Sequence, residues 1–486
     1  MQISLIPLLV LFLTAIAILG IDLVGDKKKT WLPHLALGGV LISLAVSLYL
    51  IGVDLPGNPI FGGTLTLDSF WLFFQIFASV AAGVVIASSF VYMQDRTSNP
   101  VEYYGLLLIA TLAIGLLAAS TDLILIYVSF ELLSVTSYIL TGYLRDDPKS
   151  DEAAIKYFLY GAVASAAMLY GMSFLYGISG STNLFIIARS LVGEHTSMNW
   201  VVLPALVFMM AGFGYKIGAV PFHQWSPDAY EGAPTPVSAF ISVGPKAAGF
   251  AVLMRVLLIA LPDFSTDWIA LLSGISMMTM TLGNLVAISQ KNIKRMLAYS
   301  SIAHAGYMLI GLISWNQWES GSLFDGISGI LFYLLVYLFA NLGVFAVVIA
   351  FEQATNSNQI EDYAGLIRRS PVLAGTMIVF LLSLIGIPGT GGFVGKLFVF
   401  GAGMRSGFYA LVIVALVNNV IAAFYYLNIA RYMFFQSPQE SQDEIKLSPS
   451  LKVAIALACV MTVVFGLYAQ PFVQFVKNSF GLLPSL

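Results

Sequence analysis

Charged residues and cysteines are both scarce in this sequence. Only 10% of its 486 residues are charged, whereas soluble domains carry about 25%, so the chain cannot cover a soluble surface. The single cysteine, Cys459, excludes a disulfide framework and an iron–sulfur cluster, which is usually held by several cysteine thiolates. The four histidines show no metal-ligand spacing, and the net charge of −3 comes with no basic patch for nucleic acid. Any redox chemistry linked to this chain must therefore sit on a partner.

Long apolar runs fill the sequence instead, and 59% of the residues are hydrophobic. A helix that crosses the hydrocarbon of a bilayer needs about 20 apolar residues. The runs predict an all-α, polytopic membrane protein of about fourteen transmembrane helices. The first run has no basic residues before it, so it is predicted to be a retained helix and not a signal peptide. The predicted spans are 4–24, 34–53, 70–93, 103–120, 122–144, 153–178, 201–225, 236–260, 267–289, 292–313, 325–350, 372–400, 407–434 and 451–475.

Lysine and arginine are distributed unevenly between the two sets of loops. Fifteen of the 22 fall in or beside the odd-numbered loops, and the other side holds only Arg189, Arg405 and Lys477. Because cytoplasmic loops carry the excess of basic residues, the odd-numbered loops are predicted to be cytoplasmic and both termini non-cytoplasmic. No connection between the spans is long enough for a folded soluble domain.

Two stretches of the chain, 115–143 and 284–312, resemble one another. The pairs matched at an offset of 169 residues are Ser120 with Ser289, Tyr138 with Tyr307 and Gly142 with Gly311. Chance matching in an apolar sequence is the alternative. A repeat would join spans 4–8 to spans 9–13, and because five is odd, the second copy would be inverted, as is typical of transporters. This divides the chain into an N-terminal three-helix segment (1–100), a first five-helix repeat (101–262), a second, inverted repeat (263–435) and a C-terminal helix (436–486).

Two prolines interrupt spans in corresponding places, Pro221 in the seventh span and Pro388 in the twelfth. Proline lacks an N–H and clashes with the preceding turn, so it breaks a helix. In lipid the freed carbonyl groups need a protein or water partner. Two broken helices in matching places predict a hydrated pathway, and a simple kink without function is the alternative.

One acid and three amines lie inside predicted spans: Glu131 in span 5, Lys216 in span 7, Lys246 in span 8 and Lys396 in span 12. An ionised group at the bilayer centre costs roughly 3 kcal/mol or more, so these groups must be paired or hydrated. A static pair between Glu131 and one lysine is the structural alternative, but it leaves two lysines unexplained. Burial favours a neutral amine and a nearby carboxylate favours a charged one, so the four residues are predicted to form a proton relay.

Two histidines are candidate members of the relay. His223 follows the first break and would connect the relay to the cytoplasmic side, and an interfacial histidine at a helix end is an equal alternative. His304, in span 10, faces either the second half of the path or a helix contact. Arg255, near the outer end of span 8, cannot deprotonate in practice and is predicted to be an interfacial anchor.

Further polar residues carry weaker signals. Tyr333, Tyr337 and Asn341 are spaced four residues apart in span 11 and share one helical face. Packing is the safer interpretation of that face, and water binding is the alternative. Asp228 and Glu231 are predicted to be solvated in a loop.

Four segments carry a resemblance to a known family and together span most of residues 105–400. They are DLILIYVSFELLSVTSYILTGY, AGFGYKIGAVPFHQWSPDAYEGAPTPVSAFISVGPKAAGF, NIKRMLAYSSIAHAGYMLIGL and LIGIPGTGGFVGK. The sequence resembles the antiporter-like subunits of respiratory complex I, most closely the subunit N or NADH dehydrogenase subunit 2 family. The resemblance implies fourteen helices, two inverted five-helix repeats and broken helices 7 and 12. It also implies a relay of Glu131, Lys216, Lys246 and Lys396, with no cofactor or metal on this chain.

The same resemblance implies that the chain sits in the membrane arm of NADH:quinone oxidoreductase beside other membrane-arm subunits. Quinone reduction elsewhere would drive proton pumping, and the NADH, FMN, iron–sulfur and quinone sites would belong to other subunits. Some sister subunits carry glutamate where this chain has Lys396, and one carries a long lateral helix for which this chain has no room. Their histidines in helices 8 and 11 are absent here. These departures favour subunit N.

Three functions follow as hypotheses from the sequence. The leading one is a proton-pumping subunit in an energy-transducing membrane, expected to be a bacterial inner membrane. The second is a component of a multi-subunit sodium/proton antiporter or of a membrane-bound hydrogenase, which share the fold. The third, from another class, is a structural membrane scaffold.

Overall fold

A computed structural model describes residues 3–24, 31–53, 55, 57, 59–97, 99–315, 325–437 and 445–479. Within this part of the chain, thirteen helices are long and apolar enough to cross a membrane. The predicted twelfth span consists of two shorter helices separated by a break. The prediction of an all-α, polytopic membrane protein is therefore confirmed. The predicted cytoplasmic lysines at 27–29 lie outside the described residues.

The helices of the first half begin after short polar connections. They are α1 (Ile6–Val24), α2 (Leu32–Leu50), α3 (Ser69–Arg96), α4 (Pro100–Ala119), α5 (Leu123–Thr141), α6 (Pro148–Ser179), α7 (Leu184–Leu191), α8 (His195–Ile217), α9 (Trp225–Gly232) and α10 (Thr235–Arg255). A π-helical turn, Val256–Ala260, extends α10, and 3₁₀ turns cover Ile3–Leu5 and Phe61–Gly63. The strands β1 (Pro59–Ile60) and β2 (Leu65–Thr66) pair in antiparallel register.

The described part of the second half contains long helices, the interrupted pair and two short helices. They are α11 (Ser265–Ala287), α12 (Ile293–Ile313), α13 (Gly326–Thr355), α14 (Leu366–Arg369), α15 (Pro371–Ile385), α16 (Gly391–Arg405), α17 (Tyr409–Phe435), α18 (Pro449–Leu467) and α19 (Gln470–Asn478). Turns of 3₁₀ helix cover Pro262–Phe264 and Ile360–Tyr363. The predicted last span, 451–475, is thus divided between α18 and α19.

Side-chain caps explain where several of these helices begin. Asp or Asn carboxyl and amide oxygens accept backbone N–H groups of the first turn, which have no partner inside the helix. The residues that cap in this way include Asp68, Asp122, Asp147, Asn183, Asn292 and Asp325.

The helices α10 and α13 form the centre of the bundle. Every residue of α10 is buried, and so is α13 from Gly326 to Glu352. They pack against one another and against α3, α12 and α16. A helix that is apolar and buried all round is shielded from lipid by its neighbours, so polar side chains on α10 and α13 contact other protein groups.

The two predicted helix breaks are confirmed. Helix α8 ends at Ile217, and Gly218 follows with a φ of 76°. Helix α15 ends at Ile385, and Gly386 follows with a φ of 89°. Glycine adopts this left-handed conformation without strain, so both helices end in the same local geometry before Pro221 and Pro388.

A matched backbone pairing accompanies the starts of α5 and α12. In the first half, the N–H of Leu123 donates to Thr182, and the N–H of Leu184 donates to Thr121. In the second half, Ile293 donates to Asn358, and Ile360 donates to Lys291. The two crossed pairings occupy corresponding places. The inverted relation of the two repeats stays a prediction.

Candidate functional site

Lys216 lies in the last turn of α8 and is only 1% exposed. Its Nζ donates a hydrogen bond of 2.6 Å to Oγ of Ser134 on α5. The same amine lies 4.1 Å from the centre of the Phe130 ring. Ser134 donates its own proton to the Phe130 carbonyl, so its oxygen is free to accept from the amine. A hydroxyl and an aromatic face therefore surround this buried amine.

Glu131 lies on α5 one turn before Ser134 and is partly buried. Its Oε1 atom is buried and has no hydrogen-bond partner. In the part of the chain that the structure describes, no ion pair joins it to Lys216. The static pair considered from the sequence is therefore absent. A buried carboxylate oxygen without a partner is costly, so a bound water or a proton would stabilise the Glu131 side chain.

Lys246 lies in the middle of α10 and is 1% exposed. Its Nζ donates to Oγ of Ser301 on α12. The Tyr337 hydroxyl donates to the same oxygen at 2.8 Å, and the Tyr230 hydroxyl lies 3.3 Å from it. A side-chain carbon built on Gly218 would lie 3.5 Å from the amine nitrogen. The amine of Lys246 thus sits directly beside the break that follows α8.

His304 continues this polar cluster on α12. Its Nδ1 lies 2.6 Å from the Tyr333 hydroxyl, and its Nε2 lies 3.2 Å from the Tyr426 hydroxyl. The Tyr426 hydroxyl in turn bonds to Ser300. The imidazole centre is 5.1 Å from the ring centre of Tyr337, whose hydroxyl reaches the Lys246 cluster. These bonds connect α12 to α13 and α17, and a place of His304 in the path stays a prediction.

Lys396 lies on α16, just after the second break. Its Nζ donates to the carbonyl oxygens of Leu384 at 2.7 Å and Ile385 at 2.8 Å, and to Oδ1 of Asn419 at 2.5 Å. The last carbonyls of a helix have no partner within it. The amine therefore satisfies two of the carbonyls at the end of α15. It also lies 5.3 Å from the ring centre of Tyr307, which contacts His304.

The side chain of Lys216 packs against the helix that carries Lys246. The stem of Lys216 packs against Gly249, where an added side-chain carbon would lie 3.1 Å from its Cγ. Gly249 is three residues after Lys246 on α10, so the stem of Lys216 on α8 contacts α10 about one turn from Lys246. No hydrogen bond among the described residues joins Lys216 to the Lys246 cluster. Proton exchange between them requires water or side-chain motion.

A small cavity lies beside the second break. Its volume is about 10 Å³, and its walls include His304, Tyr333, Tyr337 and Ser383. This is close to the least volume that holds one water molecule, but the exposed wall of the cavity is almost entirely apolar. The cavity is therefore a narrow gap between His304 and the end of α15, where Ser383 lies.

His223 stands apart from the lysines. It lies in the connection between α8 and α9, is partly exposed, and its Nδ1 is a buried atom without a hydrogen-bond partner. Pro221 and Pro388 are both exposed. No hydrogen bond among the described residues connects His223 to Lys216 or Lys246.

The predicted interfacial role of Arg255 is wrong. Its side chain is 1% exposed and forms a two-pronged ion pair with Asp68, at 2.9 and 2.8 Å. Its Nε also donates to the carbonyl of Ala118 at 2.6 Å. The planar guanidinium matches a carboxylate geometrically, so this pair ties α10 to the start of α3.

The predicted loop position of Asp228 and Glu231 is also wrong, because both lie on α9, where their side chains are partly exposed. Asp228 pairs with Arg295 at 2.5 Å and with Lys156 at 2.9 Å, and Glu231 pairs with Arg295 at 3.2 Å. Burial raises the pKa of Asp228, but hydrogen bonds from Arg295 and Lys156 outweigh it and hold that pKa below its usual value. These pairs fasten α9 to α6 and α12.

No pattern in the sequence indicated which hydroxyl groups would contact the lysines and His304. Ser134, Ser301 and Tyr426 come from helices far along the chain from the lysines and histidine that they contact. Within the described residues, no group of three or more histidine, cysteine, aspartate or glutamate side chains could hold a metal ion.

Buried amines beside two interrupted helices, each held by polar oxygen atoms inside a bundle of membrane helices, define an antiporter-like class of membrane protein. Residues 120–422 match the family described as NADH:quinone oxidoreductase/Mrp antiporter, TM. The chain belongs to this family.

Named relatives cover nearly the whole chain. The NAD(P)H-quinone oxidoreductase subunit 2 of Synechocystis sp. is 41% identical over 98% of this chain and 92% of its own length. The protein of the same name from Microcystis aeruginosa is 40% identical over 98% of this chain and 94% of its own length.

Solved structures share the fold. A chain of respiratory complex I from Thermus thermophilus with bound aureothin is 32% identical, with a TM-score of 0.80 over 96% of this chain and 98% of that one. A chain of the Mrp complex from Dietzia sp. has a TM-score of 0.87 over 99% of this chain and 97% of that one. Its identity is 19%, so that likeness concerns the fold alone.

Proposed function

We propose that this chain is a proton-translocating, antiporter-like subunit in the membrane arm of an NADH:quinone oxidoreductase. Quinone reduction elsewhere in the complex is coupled to proton pumping through this subunit. The relatives named as quinone oxidoreductase subunit 2 match at 41% and 40% identity over almost the full length, which supports this assignment. The proposed mechanism of proton transfer rests on one observation: three lysines are buried beside the two helix breaks.

In this mechanism Lys216, Lys246 and Lys396 are successive proton stations and Glu131 modulates the first. Among the described residues, each amine is held by hydroxyl, amide or carbonyl oxygens and not by a fixed counter-ion. Such a group can lose its proton without leaving an unpaired buried anion behind. Movement of Glu131 toward Lys216 favours the charged amine, and movement away favours proton release.

His304 connects the second and third amines in this scheme. Its two nitrogens contact tyrosine hydroxyls on α13 and α17, so it can receive a proton on one side and pass it on at the other. His223, with a buried nitrogen lacking a partner, is the candidate connection to the cytoplasmic side. We infer the same division of the chain as from the sequence, with a three-helix segment, two inverted repeats and a terminal helix.

The redox groups are assigned to other subunits. One cysteine cannot hold an iron–sulfur cluster, so we place the clusters, FMN, NADH and quinone on partners of the complex. The partners of this chain are the other membrane-arm subunits and the lipid bilayer. We infer a bacterial inner membrane with both termini on the non-cytoplasmic side, from the basic residues of the odd-numbered loops.

An antiporter subunit, a membrane-bound hydrogenase subunit and a structural scaffold are the alternatives. The Mrp chain is 19% identical to this one, so the likeness supports a shared fold alone. It does not favour antiport over quinone-linked pumping as the function of this chain. Replacing Lys246 by alanine in the native complex tests pumping against the scaffold, with the exposed Lys452→Ala as control. We expect normal assembly, lost proton uptake into inverted vesicles for Lys246→Ala, and no effect of Lys452→Ala. Unchanged uptake in both variants would reject proton pumping through Lys246 and favour the structural scaffold.

A further inference from the structure

A second buried charge cluster lies where α10 begins and α13 ends. Glu352, near the end of α13, is 5% exposed. Its carboxylate accepts from the Tyr92 hydroxyl at 3.2 Å, from the Arg96 guanidinium at 3.3 Å and from the Thr235 hydroxyl. Lys294, which is 3% exposed, donates to the Ala233 carbonyl at 2.7 Å, two residues before α10 begins. One acid thus stands with two cations at this end of the bundle.

This cluster reaches solvent through Arg96. The guanidinium lines an open cavity of about 660 Å³, whose wall also includes Asp95, Glu102, Asp146 and Asp147. A cavity of this size holds many water molecules. The ion pair between Arg96 and Glu352 therefore lies between this end of the α10–α13 interface and bulk water. The basic loops predict that this side is cytoplasmic.

A stripe of polar side chains runs inward along α10. Thr235, Ser238, Ser242 and Lys246 are separated by three, four and four residues, so they share one face of the helix. Helical rise puts successive members about 4.5–6 Å apart along the axis. One water that makes two hydrogen bonds of about 2.8 Å bridges a gap of this size.

The facing helix α13 presents an unsatisfied polar atom at the inner part of the stripe. The Asn341 amide nitrogen donates to Oγ of Ser242 at 2.5 Å. Asn341 is 1% exposed, and its Oδ1 is buried without a hydrogen-bond partner. One turn earlier on α13, the Tyr337 hydroxyl reaches Ser301, which also binds Lys246. A buried amide oxygen without a partner is costly, and a hydrogen bond from a water molecule would offset that cost.

We propose that the α10–α13 interface is a proton access route to Lys246, which runs from the cavity at Arg96 through water held by Asn341 and Ser242. The route rests on the proposed function, since it supplies one of its proton stations. A proton from the cavity water ends on the neutral amine of Lys246. Each intervening water accepts one proton and releases another, so that only one proton moves in net terms. Glu352 offsets the charges of Arg96 and Lys294, which would otherwise repel the entering proton.

Replacement of Asn341 tests this route. Asn341→Leu keeps the side-chain size but removes the water-binding oxygen, and Asn341→Ser leaves an oxygen and room for water. Thr111→Val is the matched control, because Thr111 is a fully buried hydroxyl on α4 that bonds only to its own helix. We expect Asn341→Leu to slow proton uptake by the native complex in inverted vesicles about tenfold, which corresponds to about 1.4 kcal/mol in the barrier. Asn341→Ser should retain more of the rate than Asn341→Leu, and Thr111→Val should remain close to the unmodified complex.

Two further variants separate failure of the route from failure of the proposed function. Glu352→Gln leaves both cations uncompensated and should also slow proton uptake, with normal assembly. If Lys246→Ala abolishes uptake while Asn341→Leu and Glu352→Gln leave it unchanged, the route is overturned and the relay stands. If Lys246→Ala itself leaves uptake unchanged, the relay fails, and the route to it fails with it. If Thr111→Val also loses uptake, the effect of Asn341→Leu reflects a general disturbance of helix packing, and the route is overturned.

Discussion

The amine of Lys396 donates to the carbonyl oxygen of Ile385 at the interrupted end of α15, across the break that contains Pro388. The neighbouring carbonyl, of Leu384, accepts from the same amine. A lysine on the second half of a broken helix thus satisfies the end of the first half. The candidate proton station is also a structural connection between α15 and α16.

Lys396→Met should therefore lower stability as well as pumping. Hydrogen bonds to charged groups contribute roughly 1.5–3 kcal/mol each, and the methionine side chain cannot donate. We expect the subunit to dissociate from the purified complex at a lower temperature. Lys396→Gln, which retains an N–H donor, should recover part of the stability but not proton uptake. Equal dissociation temperatures for all three proteins would show that the amine does not stabilise the break.

Arg255 and Asp68 should behave as a buried pair. Removing one member of such a pair typically costs about 3–5 kcal/mol, because the other charge stays buried without its partner. Arg255→Met and Asp68→Leu should each lower the dissociation temperature strongly. The double variant should be closer to the unmodified protein than either single variant. Arg189→Ala, at an exposed position, is the control and should have no effect. Additive losses in the double variant would contradict direct pairing.

The attachment of α9 through Asp228 should weaken in acid. The pKa of Asp228 is lowered in the folded protein, so its contribution is fully present above the unfolded pKa of about 4. The contribution is lost as the pH falls through the lower, folded pKa. The stability difference between the unmodified protein and Asp228→Asn should thus be largest near neutral pH and shrink below about pH 4. Dissociation temperatures measured against pH check this, and a difference that grows in acid would reverse the sign.

Ser134 should matter through the amine that it holds. Ser134→Ala removes the hydroxyl that accepts from Lys216 and leaves the buried amine without that oxygen. We expect slower proton uptake with normal assembly, and Ser134→Thr, which keeps a hydroxyl, should preserve most of the rate. Uptake that is equally reduced by threonine and alanine would indicate a packing effect.

The sequence predicted the parts of this structure that depend on local pattern. Apolar runs predicted the spans, and Pro221 and Pro388 predicted the two breaks, because proline acts on the turn in which it stands. Lys216, Lys246 and Lys396 were recognisable because a charge in an apolar run must find a polar environment.

Pairings between distant helices could not be predicted in the same way. Ser134 and Ser301 are ordinary serines in helical sequence, and only the packing of α5 and α12 makes them partners of the lysines. Arg255 stands near a span end, where an interfacial place was the reasonable expectation. Its partner Asp68 lies 187 residues earlier, and the pairing depends on how α3 packs against α10.

Replacing Lys216 by arginine tests the central claim most directly, because arginine keeps a positive charge and hydrogen-bond donors but cannot release its proton in a protein. The measurement is the number of protons taken up per quinone reduced by the native complex in sealed inverted vesicles, after normal assembly has been verified. If buried amines carry protons, Lys216→Arg should lower this ratio as much as Lys216→Ala does. A ratio equal to that of the unmodified complex would show that Lys216 serves only as a fixed charge, and it would contradict the relay.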